Sequence, residues 1–257
     1  MHMLLFPSFY VKPQVYDVRY DVTVKNAGSQ TKEVSVVLPV PAGFEYQKFL
    51  KTPEFSPVDC VVLHEATFGN HYAVWKTELA GGEEKLFGER FTVRVEPRKA
   101  EVADDRIKEA NTFVMSHLEY GNPIEGLYSA SQAREKITVD CGGFDTLLQE
   151  ELAKHGIESR IVSGFWESGK MHAWLEIKVG ENWIPADPSM EQLRRDRRTK
   201  KSGELGFVGS DRIALSVGSF FDIEIAGTKY PVDILQNPLI IPEEGITYEK
   251  HFYCTRA

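Results

Sequence analysis

The hydrophobic period of this chain changes once, near Pro97, and that change limits the folds open to it. Before it the pattern is that of strands. In "VYDVRYDVTV" the residues Tyr16, Val18, Tyr20, Val22 and Val24 alternate with Asp17, Arg19, Asp21 and Thr23, the period of a half-buried strand. "KNAGSQ" marks a turn. "EVSVVLPVP" and "FTVRVEP" repeat the pattern, with Phe91, Val93 and Val95 on one face. Short strands separated by turn signals predict a β-sandwich over residues 1–100. From Glu101 to Tyr120 the apolar residues Ile107, Ala110, Val114 and Leu118 fall at helical spacing instead. A second unit is therefore expected over 101–230, and the fold class is α+β. The tail 231–257 alternates as strands do and is expected to pack on one of the two units.

A second helix is predicted to open at Cys141, with Asp140 as N-cap and Phe144, Leu147, Leu148 and Leu152 as its buried stripe. It should end at His155-Gly156, because glycine accepts the left-handed conformation past a helix end and histidine suits the last turn. "RIVSGF", "HAWLEIKV" and "NWIPADP" then read as strands.

At 257 residues the chain can bury a large core without disulfides. Three scattered cysteines, Cys60, Cys141 and Cys254, make neither a secreted scaffold nor a metal site with closely spaced ligands. No metal or other cofactor is expected. A net charge of −8 argues against a general nucleic-acid partner. No run is long enough to span a membrane. The opening "MHMLLFPSFYVKP" has no basic stretch ahead of an apolar one, so it does not read as a leader, and the expected location is cytoplasmic. The basic run "RRDRRTKK", residues 194–201, reads as a solvated loop or helix face. Cys60 and Cys254 read as buried or incidental thiols.

Cys141 is different, because a helix N-terminus stabilises a thiolate. Gly142 and Gly143 are poor helix formers, by about 1 kcal/mol each relative to alanine, and would let a substrate approach the sulfur. The same stretch fits a small buried cysteine beside a tight turn equally well. A nucleophilic thiol needs a base and a group that orients the base. If Gly180 and Glu181 are the centre of a hairpin turn, Val179 faces Asn182 and Trp174 faces Asp187. His172 and Asp187 are then diagonal neighbours on one face. Taken singly, each has an ordinary structural reading.

Together, "DCGGFDTLLQEELAKHGIESRIVSGF" and "MHAWLEIKVGENWIPADPS" resemble the transglutaminase-like superfamily of cysteine acyltransferases and peptidases, in its two-domain bacterial and archaeal form. The resemblance spans about residues 105–225, including "DRIALSVGSFFDIEI". It implies a papain-like core, a helix packed on an antiparallel sheet, behind an N-terminal β-sandwich. It also implies Cys141 as nucleophile, His172 as base and Asp187 as orienting acid. The oxyanion of the resulting thioester chemistry needs donors. The Cys141 backbone N–H is the first candidate, with Gln132 and Tyr120 upstream as further ones, although Gln132 reads equally as a solvated helix residue. The expected partner is a peptide or protein substrate. Water as acyl acceptor is favoured over an amine co-substrate, and a silent peptide-binding module is the alternative of another class. The oligomeric state is not legible.

Overall fold

The computed structural model describes residues 10–41 and 43–257. The leader reading of the first residues lies largely outside them. The first part of the chain forms β1 (Gln14–Asn26), β2 (Lys32–Val40), β3 (Gln47–Ser56), β4 (Val61–His64), β5 (His71–Leu79), β6 (Glu84–Val95) and β7 (Arg98–Lys99). Then come α1 (Asp105–His117), β8 (Glu119–Tyr120), α2 (Ala130–Lys136), β9 (Thr138–Val139) and α3 (Cys141–Lys154). They are followed by β10 (Ser159–Trp166), β11 (Met171–Val179), β12 (Asn182–Ala186) and α4 (Pro188–Arg195). The chain ends with β13 (Phe207–Val208), β14 (Arg212–Val217), β15 (Phe221–Ile225), β16 (Thr228–Val232), β17 (Leu239–Ile241) and β18 (Ile246–Arg256). This is an α+β fold. Among the described residues no helix is long and apolar enough to cross a membrane.

Two four-stranded sheets run in the orders β18-β1-β6-β3 and β17-β2-β5-β4. Each takes an edge strand from the end of the chain, β18 on β1 and β17 on β2, so residues far apart in sequence close both sheets. The alternation in β1 buries Tyr16, Val18, Tyr20, Val22 and Val24. Val22 and Val24 of one sheet and Val36, Leu38 and Trp75 of the other share one buried cluster.

The third sheet has the order β12-β11-β10-β14, and every pair in it is antiparallel. On one face α3 packs Phe144, Leu147, Leu148 and Leu152, all fully buried, with Ile161, Leu175, Ile177 and Ala186. Each of the Phe, Leu and Ile side chains contributes roughly 1.5–3 kcal/mol relative to exposure. The other face buries Val162, Trp174, Ala214 and Val217 with Phe44 and Tyr46 at its border. The free edge of β14 is satisfied by two side-chain amides in place of a neighbouring strand. Gln47 donates to the Ala214 carbonyl at 2.7 Å and accepts its N–H at 2.8 Å. Asn70 treats Val217 in the same way, at 2.8 Å each. Buried backbone polar groups must be paired, so these two amides lock the helix-backed sheet to the start of β3 and to the loop before β5.

Candidate active site

The start of α3 is built by its cap. Asp140 accepts from the Gly143 N–H at 3.3 Å through one oxygen and from the Ile124 N–H at 2.9 Å through the other. The second bond draws the loop between β8 and α2 over the helix end. Gly142 and Gly143 are small for a packing reason: a Cβ on either would lie 2.5 Å from a methyl group, of Leu127 or of Val139 respectively. At Gly143 the room expected for substrate is therefore filled by the protein itself. The helix ends as expected, with His155 as C-cap and Gly156 at φ 67°.

The β11–β12 hairpin has the anticipated register. Val179 faces Asn182 and Leu175 faces Ala186, which leaves Trp174 and Asp187 opposite one another just past the last pair. Gly180 has φ 59°, the conformation that the first central residue of a type II′ turn requires. His172 Nε2 lies 2.8 Å from Asp187 Oδ2, and both residues are buried. Asp187 also receives Arg212 Nη1 at 2.7 Å, Ser189 Oγ at 3.0 Å and the Met190 N–H at 3.1 Å, the last as N-cap of α4. Burial alone would raise the Asp187 pKa; His172 and Arg212 outweigh it and hold the carboxyl well below the usual range. The His172 ring stacks on Trp166, 4.3 Å between centroids. Burial lowers its pKa, with Arg212 and Lys201 in the same direction and Asp187 opposing.

Cys141 and His172 line one cleft of about 90 Å³. Tyr120, Pro123, Ile124, Leu127, Ile234 and Gln236 also line it. Wider grooves lie on the strand faces, such as the one bordered by Arg19, Arg90 and Tyr253, and that groove holds neither thiol nor imidazole. Cys141 is half-buried. Its thiol is pushed well above its ordinary pKa by burial and by the carboxyls of Asp140 and Asp145, while an N–H bond from Ala173 offsets part of the rise. The helix end alone predicts the opposite, but desolvation and the three nearby acids Asp140, Asp145 and Asp187 outweigh it.

Tyr120 stays at the cleft, its hydroxyl raised by burial and by Cys141. Gln132 does not: it is exposed, and its side chain closes a capping box with Ser129 at the start of α2. The basic run is not uniformly solvated. Arg194 is buried and pairs with Glu204 at 2.8 Å, and Lys201 lies over the Trp166 ring at 4.0 Å, because α4 folds that stretch back beside the sheet. Cys60 and Cys254 are partly buried free thiols.

Three residues near the site carry no local sequence signal. Arg212 is 2 % exposed, and besides Asp187 it binds Ser202 and stacks on Trp166. Gln236 donates to the Gly164 carbonyl at 2.6 Å and the His172 carbonyl at 2.9 Å, fixing the strand that carries the imidazole. Asp145 follows Cys141 by one helical turn on α3.

The family description "Transglutaminase-like superfamily" matches residues 89–188, a span that holds Cys141, His172 and Asp187 and stops short of β14. No curated protein matches the sequence. Among solved structures, "a Putative Cysteine Protease from Cytophaga hutchinsonii" superposes with a TM-score of 0.58 at 13% identity, over 95% of this chain and 91% of that one. Legionella pneumophila LapG gives a TM-score of 0.35 at 13% identity, over 52% of this chain and 74% of that one. The first of these likenesses extends the shared fold over nearly the whole chain. With its helix backed by an antiparallel sheet and its cysteine at the helix start, the region from residue 89 to residue 188 matches the transglutaminase-like superfamily.

Proposed function

We propose that this protein is a cysteine-dependent amide hydrolase acting on a peptide or protein substrate through a thioester. The observation that carries the reading is a cleft shared by Cys141 and His172, in which Asp187 occupies only one nitrogen of the imidazole. Nε2 is bound to Asp187, so Nδ1 is the nitrogen left to accept the thiol proton. Burial and the neighbouring acids hold the thiol well above its ordinary pKa, which favours proton transfer during attack on the carbonyl carbon over transfer before it. The proton then passes from Nδ1 to the departing amine nitrogen as the C–N bond breaks and the thioester remains. Water gives a proton to Nδ1, adds to the thioester carbonyl and releases the acid and the thiol. Asp187, held by Arg212 and Ser189, keeps the ring oriented and supports its charged form. In this reading the Cys141 backbone N–H at the helix start serves as the first oxyanion donor and Tyr120, which lines the cleft, as the second.

The test is mass spectrometry of a peptide library incubated with a labelled amine and either wild type or Cys141→Ala. Cleavage or deamidation by wild type alone supports hydrolysis. Incorporation of the amine would replace hydrolysis by transamidation. No mass change, together with no acyl-enzyme from a peptide ester, would overturn the enzyme reading in favour of a peptide-binding module.

A further inference from the structure

Asp145 follows Cys141 by four residues on α3, so the two side chains are neighbours on one helix face. It is 0 % exposed, and neither of its carboxyl oxygens has a hydrogen-bond partner among the described residues. Phe144, Leu147 and Leu148 around it are apolar core residues. A helix shaped by packing alone would place an alanine or leucine at 145, because a buried carboxyl without a partner destabilises the fold. Such an orphan next to a reactive group points to a role in that group's chemistry.

The charges around Asp145 come from several elements. Asp140 caps its own helix, Asp187 caps α4 and Arg212 projects from β14. His172 of β11 is paired to Asp187. Tyr120 of β8 senses the same Cys141, Asp140 and Asp187. From α1 the shared core receives Ile107, Ala110 and Val114, none of them charged. The local balance is thus already rich in carboxylates, and among the described residues a further negative charge is opposed by Arg212, which is itself bound to Asp187.

We propose that Asp145 is a charge gate on Cys141: with its carboxyl neutral the sulfur can give up its proton, and with the carboxyl ionised it cannot. Two negative charges one helical turn apart in a buried setting repel strongly, so each suppresses the other. Asp145 touches no substrate and acts through Cys141, which makes it a positioning residue. Burial and the neighbouring acids hold its proton well above the usual carboxylate range, which keeps the gate open on the acid side and closes it as pH rises.

The proposal rests on Cys141 being the nucleophile, but its test reads the thiol directly. The rate of iodoacetamide alkylation of the Cys141 peptide is followed by mass spectrometry from acid to alkaline pH in wild type, Asp145→Asn and Asp145→Ala. In both variants the midpoint of the profile should fall by at least about one pH unit, and Asp145→Ala should melt at a higher temperature than wild type. An unchanged or raised midpoint in the variant that folds would overturn the proposal. A lowered midpoint in a protein that turns over no peptide leaves the gate standing and removes the hydrolase reading; an unmoved midpoint with turnover intact does the reverse.

Discussion

Replacing Asp187 by asparagine tests the site at its most connected atom pair. Oδ2 receives His172 and Arg212, and Oδ1 receives Ser189 and the Met190 N–H. An amide has one oxygen. If that oxygen keeps His172 and Arg212, the new NH2 group faces Ser189, whose hydroxyl can rotate to accept, and the Met190 N–H, which cannot. In either orientation the negative charge is lost, and the Arg212 guanidinium is left in a buried site with, among the described residues, Asp211 as its remaining ion-pair partner. Breaking a buried ion pair from one side costs about 3–5 kcal/mol, which for a chain of this length lowers the melting temperature by roughly 6–10 °C. The sign on His172 follows. The Asp187 charge raises the imidazole pKa against burial and Arg212, so in Asp187→Asn it should fall further below its ordinary value. Thermal melts give the first quantity and an NMR titration of His172 the second. Under the proposed function, peptide hydrolysis should also drop by about 10³–10⁴-fold, as expected when the acid that orients a catalytic histidine becomes an amide. A variant that melts within about 2 °C of wild type with an unmoved His172 titration would refute the reasoning.

Two further perturbations probe the frame around the site. A Cβ at Gly164 would lie 1.9 Å from the Ile213 carbonyl oxygen, at the irregularity between β10 and β14, so Gly164→Ala should push the strands apart and cost about 3 kcal/mol; a urea midpoint equal to wild type would show that the strands are not that close. Glu89 is 1 % exposed, both its oxygens lack partners among the described residues, and burial holds its carboxyl well above the ordinary range. The folded protein therefore retains a proton that the unfolded chain releases above about pH 4.3, and stability is lost as pH rises from there through the folded pKa. Glu89→Gln should flatten that decline in urea midpoints measured across the pH range, with Asp145 supplying the part that remains, and identical slopes in the two proteins would refute it.

The features read correctly from sequence are those decided within a few residues. Asp140, the apolar stripe and Gly156 define both ends of α3 because capping and periodicity are local. The β11–β12 register could be read because a tight turn at Gly180 fixes every pair behind it, and with it the meeting of His172 and Asp187. Where a local rule meets a distant neighbour, the neighbour decides. Gly143 looked open to substrate until Val139 was seen to pack on it, and the helix end that should favour a thiolate is outweighed by burial and acids.

What the amino-acid order settles alone is the α+β pattern, the helix that begins at Cys141 and the hairpin that joins His172 to Asp187. Tertiary structure alone decides the rest. Arg212 reaches Asp187 across 25 positions and Gln236 reaches the His172 backbone across 64, while β17 and β18 return from the end of the chain to complete the first two sheets. Contacts of that span depend on how whole sheets and helices pack, because no turn or cap links their ends. For the same reason the environment of Cys141, with its buried Asp145, emerges only when α3 is set against the sheet.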